Sequence, residues 1–222
     1  MKITYFGHSA FLINSGKKIL IDPFLSGNPK CKIKPSDVKA DIILVTHGHE
    51  DHLGDTVEIA KNTGAKVIAI HEIQQFLLKQ GINAIGMNIG GSINVDGIKI
   101  RMVPAIHSSS FKNGYMGHSA GFVIHLNDGV IYHAGDTGLF GDMKLIRELY
   151  NPDIAMLPIG DVYTMGVKEA AKAVEFLNPK IVIPMHYGTF PVLTGTPEEF
   201  KKLVKNVDVL VFEIGETKEV NL

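Results

Sequence analysis

Between Thr46 and His52 the chain reads Thr-His-Gly-His-Glu-Asp-His, directly behind the apolar stretch Ile42-Ile43-Leu44-Val45. The imidazoles of His47, His49 and His52 and the carboxylate of Asp51 are thereby crowded at the end of an expected strand. Neutral imidazole and ionised carboxylate are the ligands that borderline divalent ions such as zinc prefer. A polar, solvated loop that happens to be rich in His is the plainer reading. The strand context that a ligand run requires favours the metal.

A complete site needs further ligands, and only rigid elements hold distant side chains to the tolerance that a metal demands. Three residues stand just past apolar strands: His107 after Met102–Ile106, Asp136 after Val130–Gly135, and His186 after Ile181–Met185. Each alone also reads as an ordinary residue, either a core-edge histidine bonded to backbone or an Asp capping a helix that begins near Leu139. Asp22 is the candidate to receive the second N–H of a ligating imidazole, although an Asp before Pro23 also starts turns. His8, between two β segments, points into the same site or is a satisfied polar group. Asp161, Tyr163, Thr164 and Met165 are candidates for substrate contact, or else they cap the helix expected from about Val167 to Phe176. Tyr187, Gly188 and Thr189, immediately past His186, are placed to touch a leaving group or an anion. His133, three residues before Asp136, supports the site from behind or is simply packed. His71, His118 and His125 carry no argument for function.

The elements that must position these residues follow from periodicity. Residues 2–6, 10–13 and 18–21 form a β-meander by alternation and by the turn Asn14-Ser15-Gly16. Residues 23–36, with Pro23, Gly27, Asn28-Pro29 and Pro35, form a long irregular loop of the functional kind. Helix is expected from Thr56 to Ala60, strand over Lys66–Ile70, and helix again from about Glu72 to Lys79. Two hairpins come next, one turning at Asp96-Gly97 and one at Asn127-Asp128-Gly129. After them β and α alternate through the strands at 153–157 and 180–183. Hairpins followed by βα units in each half predict an α/β (α+β mixed) fold: two mixed sheets, face to face, with helices on both outer faces.

The chain has 222 residues and is 45% hydrophobic, which suits one domain over residues 1–222. A net charge of -1 gives no footprint for nucleic acid or an anionic membrane surface. The single Cys31 excludes an internal disulfide, and no basic and apolar leader opens the chain, so the cytoplasm is the expected compartment. Apolar runs are of strand length, short of the ~20 residues of a bilayer span.

The order His47-x-His49-x-Asp51-His52, then His107, then Gly135-Asp136-Thr137, then His186 resembles the signature and trailing ligands of the metallo-β-lactamase superfamily. The likeness extends to a branch of metal-dependent hydrolases similar to ascorbate-6-phosphate lactonase. It is carried by Gly7-His8-Ser9-Ala10-Phe11, Ile21-Asp22-Pro23-Phe24, Tyr132–Thr137, Pro158–Asp161 with Thr164–Gly166, and Pro184–Pro191. The resemblance implies an αββα sandwich. It implies that His47, His49 and His107 hold one metal, that Asp51, His52 and His186 hold a second, and that Asp136 bridges them. It carries no role onto His118.

The chemistry expected of such a site is hydrolysis of a small ester, lactone or phosphoester by a hydroxide held between two divalent ions, with Asp51 orienting the nucleophile or taking its proton. Zinc is the ion these ligands suit first, and manganese, iron and nickel suit them too. A serine route has no Gly-x-Ser-x-Gly to support it. Two other readings stand beside this one. A non-catalytic metal-containing ligand-binding or sensor module is disfavoured because none of the seven ligands is missing. An RNA or phosphodiester nuclease is disfavoured because no basic insertion serves as an RNA arm. A small-molecule substrate is the expected partner, without membrane or nucleic acid, and a homo-oligomer stays open.

Overall fold

The structure is a computed structural model that describes residues 1–222. In chain order its elements begin with strands β1 (Lys2–Gly7), β2 (Ala10–Ser15), β3 (Lys17–Ile21) and β4 (Ile42–Leu44). Helices α1 (Glu50–Leu53) and α2 (Thr56–Thr63), strand β5 (Lys66–Ile70), helix α3 (His71–Lys79) and strand β6 (Ala84–Met87) follow. Then come β7 (Ser92–Val95), β8 (Ile98–Pro104), the short pair β9 (Ser110–Phe111) and β10 (Gly114–Tyr115), β11 (Ala120–Leu126) and β12 (Gly129–His133). The chain ends with α4 (Met143–Tyr150), β13 (Ile154–Pro158), α5 (Val167–Leu177), β14 (Ile181–Met185), α6 (Pro197–Leu203), β15 (Asp208–Val209) and β16 (Thr217–Glu219).

These elements gather into two compact units, one of residues 1–89, 108–119 and 212–221, the other of residues 90–107, 120–211 and 222. The first is built on a seven-stranded sheet in the order β16-β1-β2-β3-β4-β5-β6. Its strands pair antiparallel from β16 to β3 and parallel from β3 to β6. The second unit has a seven-stranded sheet in the order β15-β14-β13-β12-β11-β8-β7, parallel from β15 to β12 and antiparallel beyond. Each unit therefore joins hairpins to βα crossovers, as the sequence pattern requires.

Patterning explains which strands go where. The parallel strands β4 and β13 are buried at every position and read as unbroken apolar runs. Antiparallel β8 alternates, with Ile98, Ile100 and Met102 buried and Lys99 exposed. Helix α5 buries Ala170, Ala173, Val174 and Leu177, the i, i+3, i+4, i+7 stripe, and stops at Asn178 with φ 43°, a left-handed residue of the kind that closes helices. No helix is long and apolar enough to cross a membrane.

One expectation shifts. The helix expected near Leu139 begins at Met143, so Asp136 lies too far upstream to cap it. The 108–119 segment holds the small β9–β10 ladder, with Phe111 set edge-on to Phe76 at 5.4 Å between ring centres.

In β12 the side chain of Tyr132 is fully buried, and its hydroxyl makes no hydrogen bond. Burial pushes the phenol far above its ordinary range, so it stays neutral at any working pH. A buried hydroxyl without a partner costs stability. Tyr132→Phe is expected to raise the unfolding free energy by roughly 1 kcal/mol in urea denaturation, and a loss of that size would show that the hydroxyl has a partner.

Candidate metal centre

In the first unit the His-rich run starts where β4 ends and is organised around Asp22, just past β3. The Asp22 side chain is fully buried. Its Oδ1 accepts the Thr46 backbone N–H at 2.8 Å, and its Oδ2 accepts the Thr46 hydroxyl at 2.7 Å and His52 Nδ1–H at 2.8 Å. A carboxylate only accepts, so the proton of His52 sits on Nδ1 and the lone pair on Nε2. The Thr46 hydroxyl, whose proton goes to Asp22, accepts from His47 Nδ1–H at 3.0 Å, which leaves the His47 lone pair on Nε2 as well. That Nε2 lies 3.0 Å from His49 Nδ1, the rings standing nearly perpendicular at 80°. Two ligand nitrogens of one tetrahedral zinc lie about 3.3 Å apart for Zn–N bonds near 2.0–2.1 Å. This pair suits such an ion.

The turn between the two imidazoles is tight against the β9–β10 segment. The Gly48 N–H donates to Ser109 Oγ at 3.1 Å, whose own proton goes to the Met116 carbonyl at 3.2 Å. A Cβ on residue 48 would lie 2.4 Å from Met116 Cβ, so only glycine fits between His47 and His49. Ser108 Oγ stands 3.4 Å from His49 Nε2. Helix α1 then presents Asp51 and His52 side by side on one turn. Asp51 Oδ2 lies 3.0 Å from Nε2 of the fully buried His8, and Asp51 itself is 29% exposed.

The second unit carries the other three expected ligands. Asp136 follows β12, His186 follows β14 and His107 follows β8. Asp136 Oδ2 lies 2.9 Å from His186 Nε2 and 3.7 Å from His107 Nε2. One carboxylate oxygen thus lies within 4 Å of two imidazoles that come from different strand ends. Thr137 ties these loops together: its Oγ1 accepts the Ile106 N–H at 2.9 Å and donates to the Gly138 carbonyl at 2.7 Å. His186 has φ 56°, and a Cβ on residue 160 would lie 2.1 Å from its carbonyl oxygen, which restricts that position to glycine. His133 is fully buried, and its Nδ1 accepts the Gly135 N–H at 3.2 Å, bracing the turn that delivers Asp136.

Each unit thus brings together its own share of the expected residues: His8, Asp22, His47, His49, Asp51 and His52 in one, His107, Asp136 and His186 in the other. The donor set in both is imidazole and carboxylate, and its spacings fit divalent ions. Asp161 and Thr164 shape their own loop, Asp161 Oδ1 accepting the Val162 N–H at 2.8 Å and Thr164 Oγ1 donating to the Met165 carbonyl at 3.3 Å. They also line a cavity of about 390 Å³ with Gly138 and the first residues of α5. Thr189 is buried, and its hydroxyl lies 3.5 Å from the Tyr187 carbonyl. Sequence reasoning missed Thr46, Ser109 and Thr137, whose signal was only their place beside ligands or one turn away. His125 stays outside the site; burial, then Lys99 and Arg101, holds its pKa below the usual imidazole range.

Asp22→Asn would set an amide N–H against a donor and remove the orientation of His52. Zinc affinity, read by competition with a chromophoric chelator, is expected to fall about 10- to 100-fold, while Thr46→Ser, which keeps the hydroxyl, stays near the parent. Parent affinity in the Asn variant would refute the orienting role.

A family model described as "Beta-lactamase superfamily domain" matches residues 2–186. A UPF0173 metal-dependent hydrolase of Methanosarcina barkeri is 54% identical, covering 98% of this chain and 97% of its own. One from Pyrococcus furiosus is 52% identical, covering 99% of this chain and 100% of its own. Among solved structures, Igni18, a metallo hydrolase from Ignicoccus hospitalis, is 44% identical with a TM-score of 0.90, covering 99% of this chain and 98% of that one. The mixed α/β architecture, with its two large mixed sheets and their helices, is therefore the metallo-β-lactamase fold, and the chain belongs to the UPF0173 metal-dependent hydrolases of that superfamily.

Proposed function

We propose that the two units act as one hydrolase domain over residues 1–222 and that their ligands form a dinuclear centre for cleaving a small ester, lactone or phosphoester. In this reading His47, His49 and His107 hold one ion, Asp51, His52 and His186 the other, and Asp136 is shared. Zinc is the ion proposed. The observation that carries the reading is Asp136 Oδ2, set 2.9 Å from His186 and 3.7 Å from His107, since these two imidazoles would serve different ions. A single carboxylate between two dications also offsets their mutual repulsion where water is scarce.

When bound, the ions would supply water acidified toward neutral pH and a Lewis acid for the attacked group. The chain's own residues set the rest. Asp22 and Thr46 fix the tautomers of His52 and His47 so that both present Nε2. Of the three carboxylates, Asp22 is fully buried and Asp136 is 3% exposed, so Asp51 at 29% is the one placed to exchange a proton with solvent. It would take the proton of the attacking hydroxide and return it to the leaving oxygen, with water as the exchange partner.

Asp136→Asn is expected to lower turnover of a phosphodiester or lactone ester more than about 100-fold and to reduce the bound metal below two equivalents by elemental analysis. Chelation of the parent protein should abolish turnover, and added zinc should restore it. Full metal content with parent turnover in the Asn variant would remove Asp136 from the centre.

A further inference from the structure

His8 is a costly residue to place where it stands. It opens the two-residue loop between β1 and β2, where Gly7 pairs with Ala10, and its φ is 56°. Glycine and asparagine are the ordinary occupants of such a position, because a side chain in the left-handed region meets its own backbone. The loop is nonetheless held in this form. The Tyr5 hydroxyl donates to the His8 carbonyl at 3.0 Å in a buried setting. The imidazole is fully buried, with the Phe24 ring edge-on at 5.6 Å. The segment carrying Phe24 is pinned in turn, since Asp55 Oδ2 accepts the Leu25 and Ser26 N–H groups at 2.8 and 2.9 Å. Backbone strain, a buried hydroxyl and an aromatic wall all act to aim one ring, and it lies 3.0 Å by its Nε2 from Asp51 Oδ2.

A second contact one residue away gives this its meaning. Asp51 and His52 are neighbours on α1, and each is held from a strand end. Asp22, past β3, fixes the imidazole of His52 at 2.8 Å, and His8, past β1, meets the carboxylate of Asp51 at 3.0 Å. One is a carboxylate holding an imidazole, the other an imidazole holding a carboxylate. We propose that His8 is the positioning residue of Asp51: its Nε2–H donates to Oδ2, stops rotation of the carboxylate, and leaves Oδ1 turned to the ion and water that Asp51 serves. This rests on the dinuclear reading above and adds to it a specific role for the Gly7-His8 turn.

The test is a cobalt(II) titration of the chelator-treated full-length chain, followed by calorimetry and by the visible absorption of the bound ion. His8→Asn suits the left-handed backbone but is too short to reach Asp51, whereas His8→Gln places an amide N–H near the position of Nε2. The Asn variant is expected to bind the second equivalent about 10- to 100-fold more weakly, with a shifted cobalt spectrum and a melting temperature of the metal-free chain close to the parent. The Gln variant is expected to recover most of the affinity and the spectrum. Tyr5→Phe, which frees the His8 carbonyl, should move both readouts the same way by less, and it carries the test if the Asn variant does not fold. Second-equivalent affinity and spectrum unchanged in the Asn and Phe variants overturn the proposal, as does total loss of one ion that Gln fails to rescue, which would make His8 a ligand itself. A parent chain that binds fewer than two equivalents overturns the dinuclear reading, and this proposal with it.

Discussion

A carboxylate withdrawn completely from water is tolerable only when its oxygens are met by donors, and Asp22 is met by three. That constraint reaches further than its own residue. By accepting from His52 and from Thr46, Asp22 decides the tautomer of one imidazole directly and that of His47 through the threonine hydroxyl. The same bonds tie the end of β3 to the end of β4 and to α1. An apolar residue at position 22 would fill the space and leave the imidazoles free to present either nitrogen. The direction of the imidazole lone pairs is therefore set by a residue behind the imidazoles.

Backbone strain also falls within the candidate ligand group of each unit. His8, Asp22 and His186 all have positive φ, at 56°, 44° and 56°. Each non-glycine residue in that region costs roughly 1–2 kcal/mol, and all three stand just past strand ends. Such strain persists only where the surroundings over-determine it. They do: Tyr5 grips His8, Thr46 and His52 grip Asp22, and the Asp136 carboxylate lies against His186. Packing sets matching demands on the partners of these turns. Residue 48 must be glycine because Met116 lies against it, and residue 160 because the His186 carbonyl does. The buried parallel strands supply the rigidity that these turns draw on.

Legibility in the sequence followed the range of the interaction. His47, His49, Asp51 and His52 were readable as candidate ligands because they fall close together after an apolar run. His107, Asp136 and His186 could be placed at strand ends from hydrophobic pattern alone, but joining them to the first cluster took the resemblance to a known ligand order. The contact between His8 and Asp51 spans 43 residues, and nothing in either neighbourhood announces the other. The hydroxyls of Thr46 and Thr137 act by deciding where protons sit and which loops meet, which only geometry reveals. Among elements, β6, β15 and β16 are too short to show a period. Helix α6 is a different case. Thr196-Pro197-Glu198-Glu199 has the form of a capping box with proline at the first helical position, and Thr196 Oγ1 does accept the Glu199 N–H at 3.3 Å. The signal was present there and went unread.

The arrangement also separates what can vary from what cannot. In each unit the candidate ligands follow strand ends or lie on the short helix after one, and Asp22, Thr46 and Thr137 brace them, so changes there act on those groups directly. Residues 160–166 are held at both ends, Gly160 against the His186 carbonyl and the Met165 N–H on the Thr137 carbonyl at 3.0 Å, while between them Asp161 and Thr164 satisfy their own loop and line the cavity beside α5. The β9–β10 segment is intermediate. Its tip at Lys112–Tyr115 is exposed, yet its base is fastened to the Gly48 N–H by Ser109 and rests on residue 48 through Met116. A substitution at the tip changes what approaches from solvent, while one at Ser109 or Met116 moves the turn that spaces His47 from His49. Lys112–Tyr115 can therefore vary at little cost to the His47–His49 turn while Ser109 and Met116 cannot, and the boundary between the two regimes falls inside a single short hairpin.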